Sequence, residues 1–137
     1  MKFLVDANVL SETTKPQPSQ SVIEWFQEND HESVVNPIIL GELEYGILLL
    51  PAGRRRKRLL EWFAKGIQSL EIVDVDAVTS SEWAKLLADL RRKGRVMPLS
   101  DSLIAASARQ HRLIVVTRNV AHYRHAGVPV VNPFDVK

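Results

Sequence analysis

The sequence predicts an α/β fold with a mainly parallel central sheet flanked by helices. Three observations predict it. Short apolar runs alternate with segments of helical periodicity along the whole chain, the pattern of strands joined by helical crossovers. The run LIVVT at 113–117 has no polar alternation, as expected of a strand buried on both faces of a parallel sheet. No internal repeat breaks the pattern, and 137 residues is close to the commonest size for one domain, here residues 1–137.

The elements follow in order. Lys2 to Asp6 reads as a short buried strand closed by an acid. Asp6-Ala7-Asn8 turns into a short helical start, and the Pro- and Ser-punctuated stretch 13–20 reads as a loop. Ser21 is placed to cap a helix carrying Val22, Ile23 and Phe26 on one face. Val34-Val35 reads as a second strand. Asn36-Pro37 opens a helix with Pro at its first position, where a missing N–H costs nothing. Ile38 to Leu50 continues it until Pro51-Ala52-Gly53. A basic helix follows, with Leu59, Phe63 and Ile67 spaced four apart. Leu70 to Val75 (LEIVDV) alternates as a third strand. Val78 to Leu90 is helical through Trp83, Leu86, Leu87 and Leu90. Lys93 to Ser100 is a loop through Gly94 and Pro98. Ser100 is placed to cap the next helix, whose Leu103, Ile104, Ala105 and Ala108 form a small-residue packing face. Leu113 to Thr117 is the buried strand, and Gly127 to Val131 a last short one.

Composition excludes several classes. There is no cysteine, so disulfides and thiolate metal sites are ruled out, which fits a reducing, cytoplasmic setting. MKFLVDANVL lacks the apolar core of a signal peptide. Runs such as Ile47–Leu50 are far too short to span a membrane. The formal charge is +2 and the pI about 9.1, a slight basic surplus concentrated in GRRRKR at 53–58 and DLRRKGR at 89–95.

Against that basic background, three acids are conspicuous. Asp6 ends the first strand. Glu42 sits in a helix among Ile38, Ile39, Leu43, Ile47 and Leu48. Asp101 follows a Pro-containing loop at a helix start. Asp6 alone reads equally as a turn or cap residue, and Asp101 as a first-turn helix acid favoured by the dipole. Glu42 is harder to dismiss, although Glu44 shows that part of its helix meets water. In a parallel α/β fold, sites form outside the C-terminal ends of the strands. Asp6 and the turn Thr117-Arg118-Asn119 both lie there, and Asp101 can reach the same edge. Three carboxylates in one cleft repel, and at least one pKa rises. A hard divalent cation removes the conflict; Mg²⁺ binds through one or two carboxylates, several waters and substrate phosphate. Two such ions would clamp an in-line phosphoryl displacement. No Ser/His/Asp or Cys nucleophile pattern and no Gly-rich phosphate loop competes.

The segments LVDANVLSE, GELEYGI, PLSDSLIAASA and VVTRNV…NPF, in order along the whole chain, resemble the PIN-domain nucleases, and more closely the VapC/FitB branch of toxins from type II toxin–antitoxin pairs. The resemblance implies a three-layer α/β fold, Mg²⁺ or Mn²⁺, and endoribonuclease activity. It implies a homodimer, a cognate antitoxin covering the acidic cleft, and operator DNA bound only through that antitoxin. Carried over by residue, Asp6, Glu42 and Asp101 match the metal-binding acids. Asn119 and Thr117 match the polar turn beside them, with Asn119 orienting water or phosphate. Asn8 matches the support of the first acid. One departure stands out: Ala121-His122-Tyr123 places His122 where the branch commonly has a fourth acid. Imidazole suits softer divalents better than Mg²⁺; alternatively His122 is a surface bystander.

Arg118, in the site turn, is a candidate for phosphate positioning or for pairing with an acid. Arg54 to Arg58 are either a solvated helix face or a salt-sensitive RNA contact. Trp25, Trp62, Trp83 and Tyr45 read as core or subunit-interface residues, and His31, His111 and His125 lack metal-ligand spacing. The rival to a nuclease is a catalytically weak or inactive module of the same fold that binds antitoxin or nucleic acid. A phosphoacceptor domain fits less well, because Glu42 goes unexplained and the first strand lacks an acidic pair.

Overall fold

The computed structural model describes residues 1–135. Five strands, β1 (Phe3–Val5), β2 (Ser33–Val35), β3 (Glu71–Ile72), β4 (Ile114–Val116) and β5 (Val130–Val131), form one sheet in the order β3-β2-β1-β4-β5. Every pairing is parallel, with Leu4 opposite both Val34 and Val115. Six α-helices flank it: α1 (Ala7–Glu12), α2 (Gln20–Asn29), α3 (Pro37–Leu48), α4 (Arg54–Ile67), α5 (Ala77–Arg92) and α6 (Leu99–His111).

Alternation along β1 assigns the layers. Leu4 faces one core with Val34, Val115, Ile39, Leu86 and Ile104, so α3, α5 and α6 cover that side. Phe3 and Val5 face the other with Val9, Val22 and Val116, where α1 and α2 pack. The result is the expected three-layer arrangement. Ala105 and Ala108 are buried and let α6 approach its neighbours closely. Trp83 Nε1 donates to Ser102 Oγ at 2.9 Å and pins α5 to α6.

The chain builds outward from β1 to β3, then returns to lay β4 on β1's other side. The order therefore reverses between β1 and β4, the place where a parallel sheet opens a crevice at its C-terminal edge. Asp6 and Thr117 are the residues immediately after those two strands.

Several local expectations are corrected. Ser100 is not a helix cap: α6 begins at Leu99 behind Pro98, and no side chain caps it. Ser21 does not cap α2 either. That helix starts at Gln20, and the Ser21 hydroxyl donates to the Phe134 carbonyl at 3.2 Å. The third strand shrinks from 70–75 to Glu71–Ile72 because Asp76 is claimed by α5, accepting from the backbone of Val78 and Thr79 in a capping box. Helix α3 stops at Leu48, not Leu50. On α4 Leu59 is buried and Phe63 half-buried, while the side chain of Ile67 lies outside the described residues. Tyr45 is exposed, unlike the half-buried Trp25, Trp62 and Trp83. Among the described residues no helix is long and apolar enough to cross a membrane.

Candidate metal and catalytic site

Asp6 is both a cap and a site acid. As N-cap of α1 it is extended, and its Oδ1 accepts from the Ala7 N–H at 2.8 Å. Its Oδ2 accepts from the Thr117 hydroxyl at 2.8 Å and from Asn8 Nδ2 at 3.3 Å. Asn8 also donates to Thr117 Oγ1 at 3.2 Å, and its own Oδ1 accepts the Arg118 N–H at 3.0 Å. The Asn119 N–H closes the turn on Thr117 Oγ1 at 3.1 Å. The ends of β1 and β4 are thus sewn together by side chains that leave the carboxylate fixed. Burial pushes the Asp6 pKa up; the Thr117 and Ala7 hydrogen bonds oppose this, and the Asp101 charge adds to the rise.

Glu42 projects from α3, oriented by Asn36 at the helix start. Asn36 is buried, accepts the Ile39 N–H and donates to Ser107 of α6, both at 2.9 Å. Glu42 Oε2 accepts the Ser100 hydroxyl at 2.8 Å. Its pKa is also raised, first by burial and then by the charges of Asp6 and Asp101, with Ser100 opposing. Asp101 lies in the first turn of α6 with 7% of its surface exposed. One oxygen is paired with His122 Nδ1 at 2.7 Å and the other accepts from the buried Tyr123 hydroxyl at 3.3 Å. The Tyr123 hydroxyl is held protonated by burial and then by the charges of Asp6, Asp101 and Glu42 together. The charges of Asp6, Glu42 and Asp101 therefore all reach the Tyr123 hydroxyl.

Sequence reasoning missed Ser100 and Tyr123. Ser100 reads locally as a helix cap, and a pairing 58 residues away leaves no local trace. Tyr123 gave one weak signal, an aromatic hydroxyl directly after the unusual His122. Arg118 is not aimed at the acids. Its guanidinium stacks on the Phe134 ring at 4.4 Å, so within the turn only its N–H supports the site.

Beside Glu42 a cleft of about 300 Å³ opens between α1, α3 and α4, with Asn8, Ser11, Lys15, Arg55 and Trp62 among its walls. Among the described residues, no three carboxylate or imidazole side chains close to coordination distance by themselves. The donor chemistry nonetheless fits a hard cation. Three oxygen acids repel one another, two have raised pKa values, and Mg²⁺ needs only one or two of them directly. Softer thiolate ligands are absent from the chain.

Comparison with known proteins places the fold in a family. The model of the PIN domain matches residues 3–128. The VapC ribonuclease Y4jK of Sinorhizobium fredii is 30% identical, over 97% of this chain and 98% of its own. Toxin FitB of Neisseria gonorrhoeae is 33% identical, over 96% and 98%. The solved structure of FitAB bound to an IR36 DNA fragment superposes with a TM-score of 0.89 at 29% identity, covering 98% of this chain and 97% of the other. The chain belongs to the PIN-domain family, within its VapC/FitB branch.

Proposed function

We propose that this protein is the toxin of a type II toxin–antitoxin pair and an endoribonuclease that hydrolyses RNA phosphodiester bonds with Mg²⁺ or Mn²⁺. The observation that carries this reading is the position of Asp6 at the sheet's switch point, with the Asp101 charge reaching Asp6 and the charges of both aspartates reaching Glu42. Relatives named as a ribonuclease and as a toxin along nearly the full length support it.

Asp6 and Asp101 would hold the ion directly, and Glu42 would join them or act through a water. When bound, the ion supplies the charge neutralisation and Lewis acidity that phosphoryl transfer needs. The residues do the rest. Thr117 and Asn8 hold Asp6 in one rotamer. Ser100 does the same for Glu42. Tyr123, kept protonated, keeps one Asp101 oxygen aligned. Asn119, exposed at the mouth of the turn, is placed to orient water or a phosphate oxygen.

The same reading includes a homodimer, a cytoplasmic location, and a cognate antitoxin that covers the cleft and supplies operator-DNA binding. The test is cleavage of single-stranded RNA with Mg²⁺, Mn²⁺ or EDTA. Wild type should cut only with metal, and Asp6→Asn and Asp101→Asn should not cut. Metal-independent cleavage, or cleavage surviving in both variants, refutes the assignment. No cleavage with intact RNA or antitoxin binding would support the non-catalytic module, which the His122–Asp101 contact favours.

A further inference from the structure

The three acids that would hold the metal also repel a polyanion, so RNA needs cations beside them. The cleft wall at Glu42 supplies Arg55 and Lys15, yet Lys15 is already paired with Glu12 at 2.9 Å. The segments that lead into and out of the Asp101 contacts are built differently. Gly94, at φ 66°, turns the chain sharply after α5, and the Arg95 N–H is tied back to the Leu90 carbonyl at 2.8 Å. Met97 then anchors that loop on the core. Tyr123 and Ala126, buried in the same core, fix the segment between them. One anchored backbone therefore carries Lys93 and Arg95, and the other carries Arg124 and His125, with Arg124 directly after Tyr123, a partner of Asp101.

These groups have no anionic counterpart. Neighbouring Arg92 and Arg109 pair with Asp89 and Glu82. Lys93, Arg95 and Arg124 are exposed and make no salt bridge among the described residues. All three act on His125, whose pKa is pushed down by desolvation and then by Arg95, Arg124 and Lys93. Cations without an acidic partner on two anchored loops, one of them following directly on the Asp101 contacts, form a shelf for phosphates.

We propose that Lys93, Arg95 and Arg124 are positioning residues that grip the RNA backbone on the Asp101 side of the scissile bond. This rests on the ribonuclease reading above. Each phosphate contact on a single strand adds about 0.7 to the slope of log affinity against log salt. At 0.15 M salt that is about fourfold in affinity per contact, and on the order of 50-fold for three.

The test is binding of a mixed-sequence single-stranded RNA 20-mer to the full chain in EDTA, across a salt series. Cleavage by wild type with Mn²⁺ is measured in parallel. The Lys93→Gln/Arg95→Gln/Arg124→Gln variant should bind on the order of 50-fold more weakly at 0.15 M, with a slope lower by about 2. Arg95→Lys/Arg124→Lys should keep the wild-type slope, which a folding defect would not. The charge-matched Arg54→Gln/Lys57→Gln/Arg58→Gln variant should lose less. Unchanged affinity and slope in the first variant, or equal losses in both triple variants, overturns the shelf while leaving the nuclease reading intact. A wild type that neither binds nor cuts RNA overturns both.

Discussion

His122 Nδ1 lies 2.7 Å from Oδ2 of Asp101, with the imidazole side chain 46% exposed and the carboxylate side chain only 9%. An ionised carboxylate only accepts, so this bond requires the proton on Nδ1. The imidazole therefore occupies a lone pair that a hard metal would use. His122→Asp should restore an oxygen donor and raise apparent Mg²⁺ affinity about 10-fold, a typical effect of changing a ligand's partner. Wild type should work relatively better with Mn²⁺ than the variant does. Metal titrations of RNA cleavage read this out, and identical Mg²⁺ and Mn²⁺ responses in both proteins would make His122 a bystander.

Thr117 is fully buried and joins the two strand ends by one donated and two accepted hydrogen bonds. Thr117→Val keeps the shape and removes all three. Asp6 then loses the bond that most opposes its pKa rise. The expected cost is about 2 kcal/mol in urea unfolding, the penalty for orphaning buried polar groups, with cleavage down roughly 10- to 100-fold. Thr117→Ser should recover most of both. A valine variant as active as wild type would show that the turn does not orient Asp6.

The sheet was legible because strands buried on both faces carry their own signature, as in Leu113–Val116, and because β1 ends in an acid at a predictable edge. Asp6 could be read as a cap or as a ligand and Asp101 as a first-turn helix acid or as a ligand; the fold makes Asp6 the N-cap of α1 while its second oxygen is held by Thr117 and Asn8. The details that failed were those set by distant partners. Ser100 is a sound N-cap candidate locally, but Pro98 before it and Glu42 across the cleft redirect its hydroxyl. The 70–75 strand was cut short because Asp76 gains more as the cap of α5. Arg118 points away because the Phe134 ring, sixteen residues on, offers it a face.

Asn36 holds α3, and hence Glu42, in place. It caps the helix and donates to Ser107 from a fully buried position. Asn36→Ala removes a cap worth about 1 kcal/mol and orphans the Ser107 hydroxyl for about another 1–3 kcal/mol. A total loss of about 2–4 kcal/mol is expected in denaturant midpoints at constant m-value. Asn36→Ser should keep the cap and lose only the Ser107 bond. A loss below about 0.5 kcal/mol for the alanine variant would mean that α3 is held by its apolar face alone.

Asp6 and Glu42 should trade stability for metal binding. Both folded pKa values lie above their ordinary 3.8 and 4.5, through burial first. An acid raised in this way contributes stability that is complete below the unfolded value and is lost as pH rises through the folded one. Metal-free wild type should therefore weaken as pH climbs from about 4 toward neutrality. Asp6→Asn keeps the cap on the Ala7 N–H and removes the buried charge, giving up the oxygen that Thr117 and Asn8 now donate to. In EDTA at pH 7 it should melt higher than wild type, by about 1 kcal/mol or roughly 4 °C for a chain of this size. Glu42→Gln should shift the same way, by less because it is less buried. At pH 4 both gaps should close. Saturating Mg²⁺ or Mn²⁺ should reverse the order, since an ion at 100 times its Kd adds about 2.7 kcal/mol to wild type alone. Thermal scans over pH with and without metal check every arm. If wild type melts above both variants in EDTA throughout, its buried carboxylates are already stabilised within the protein and the case for a metal there fails.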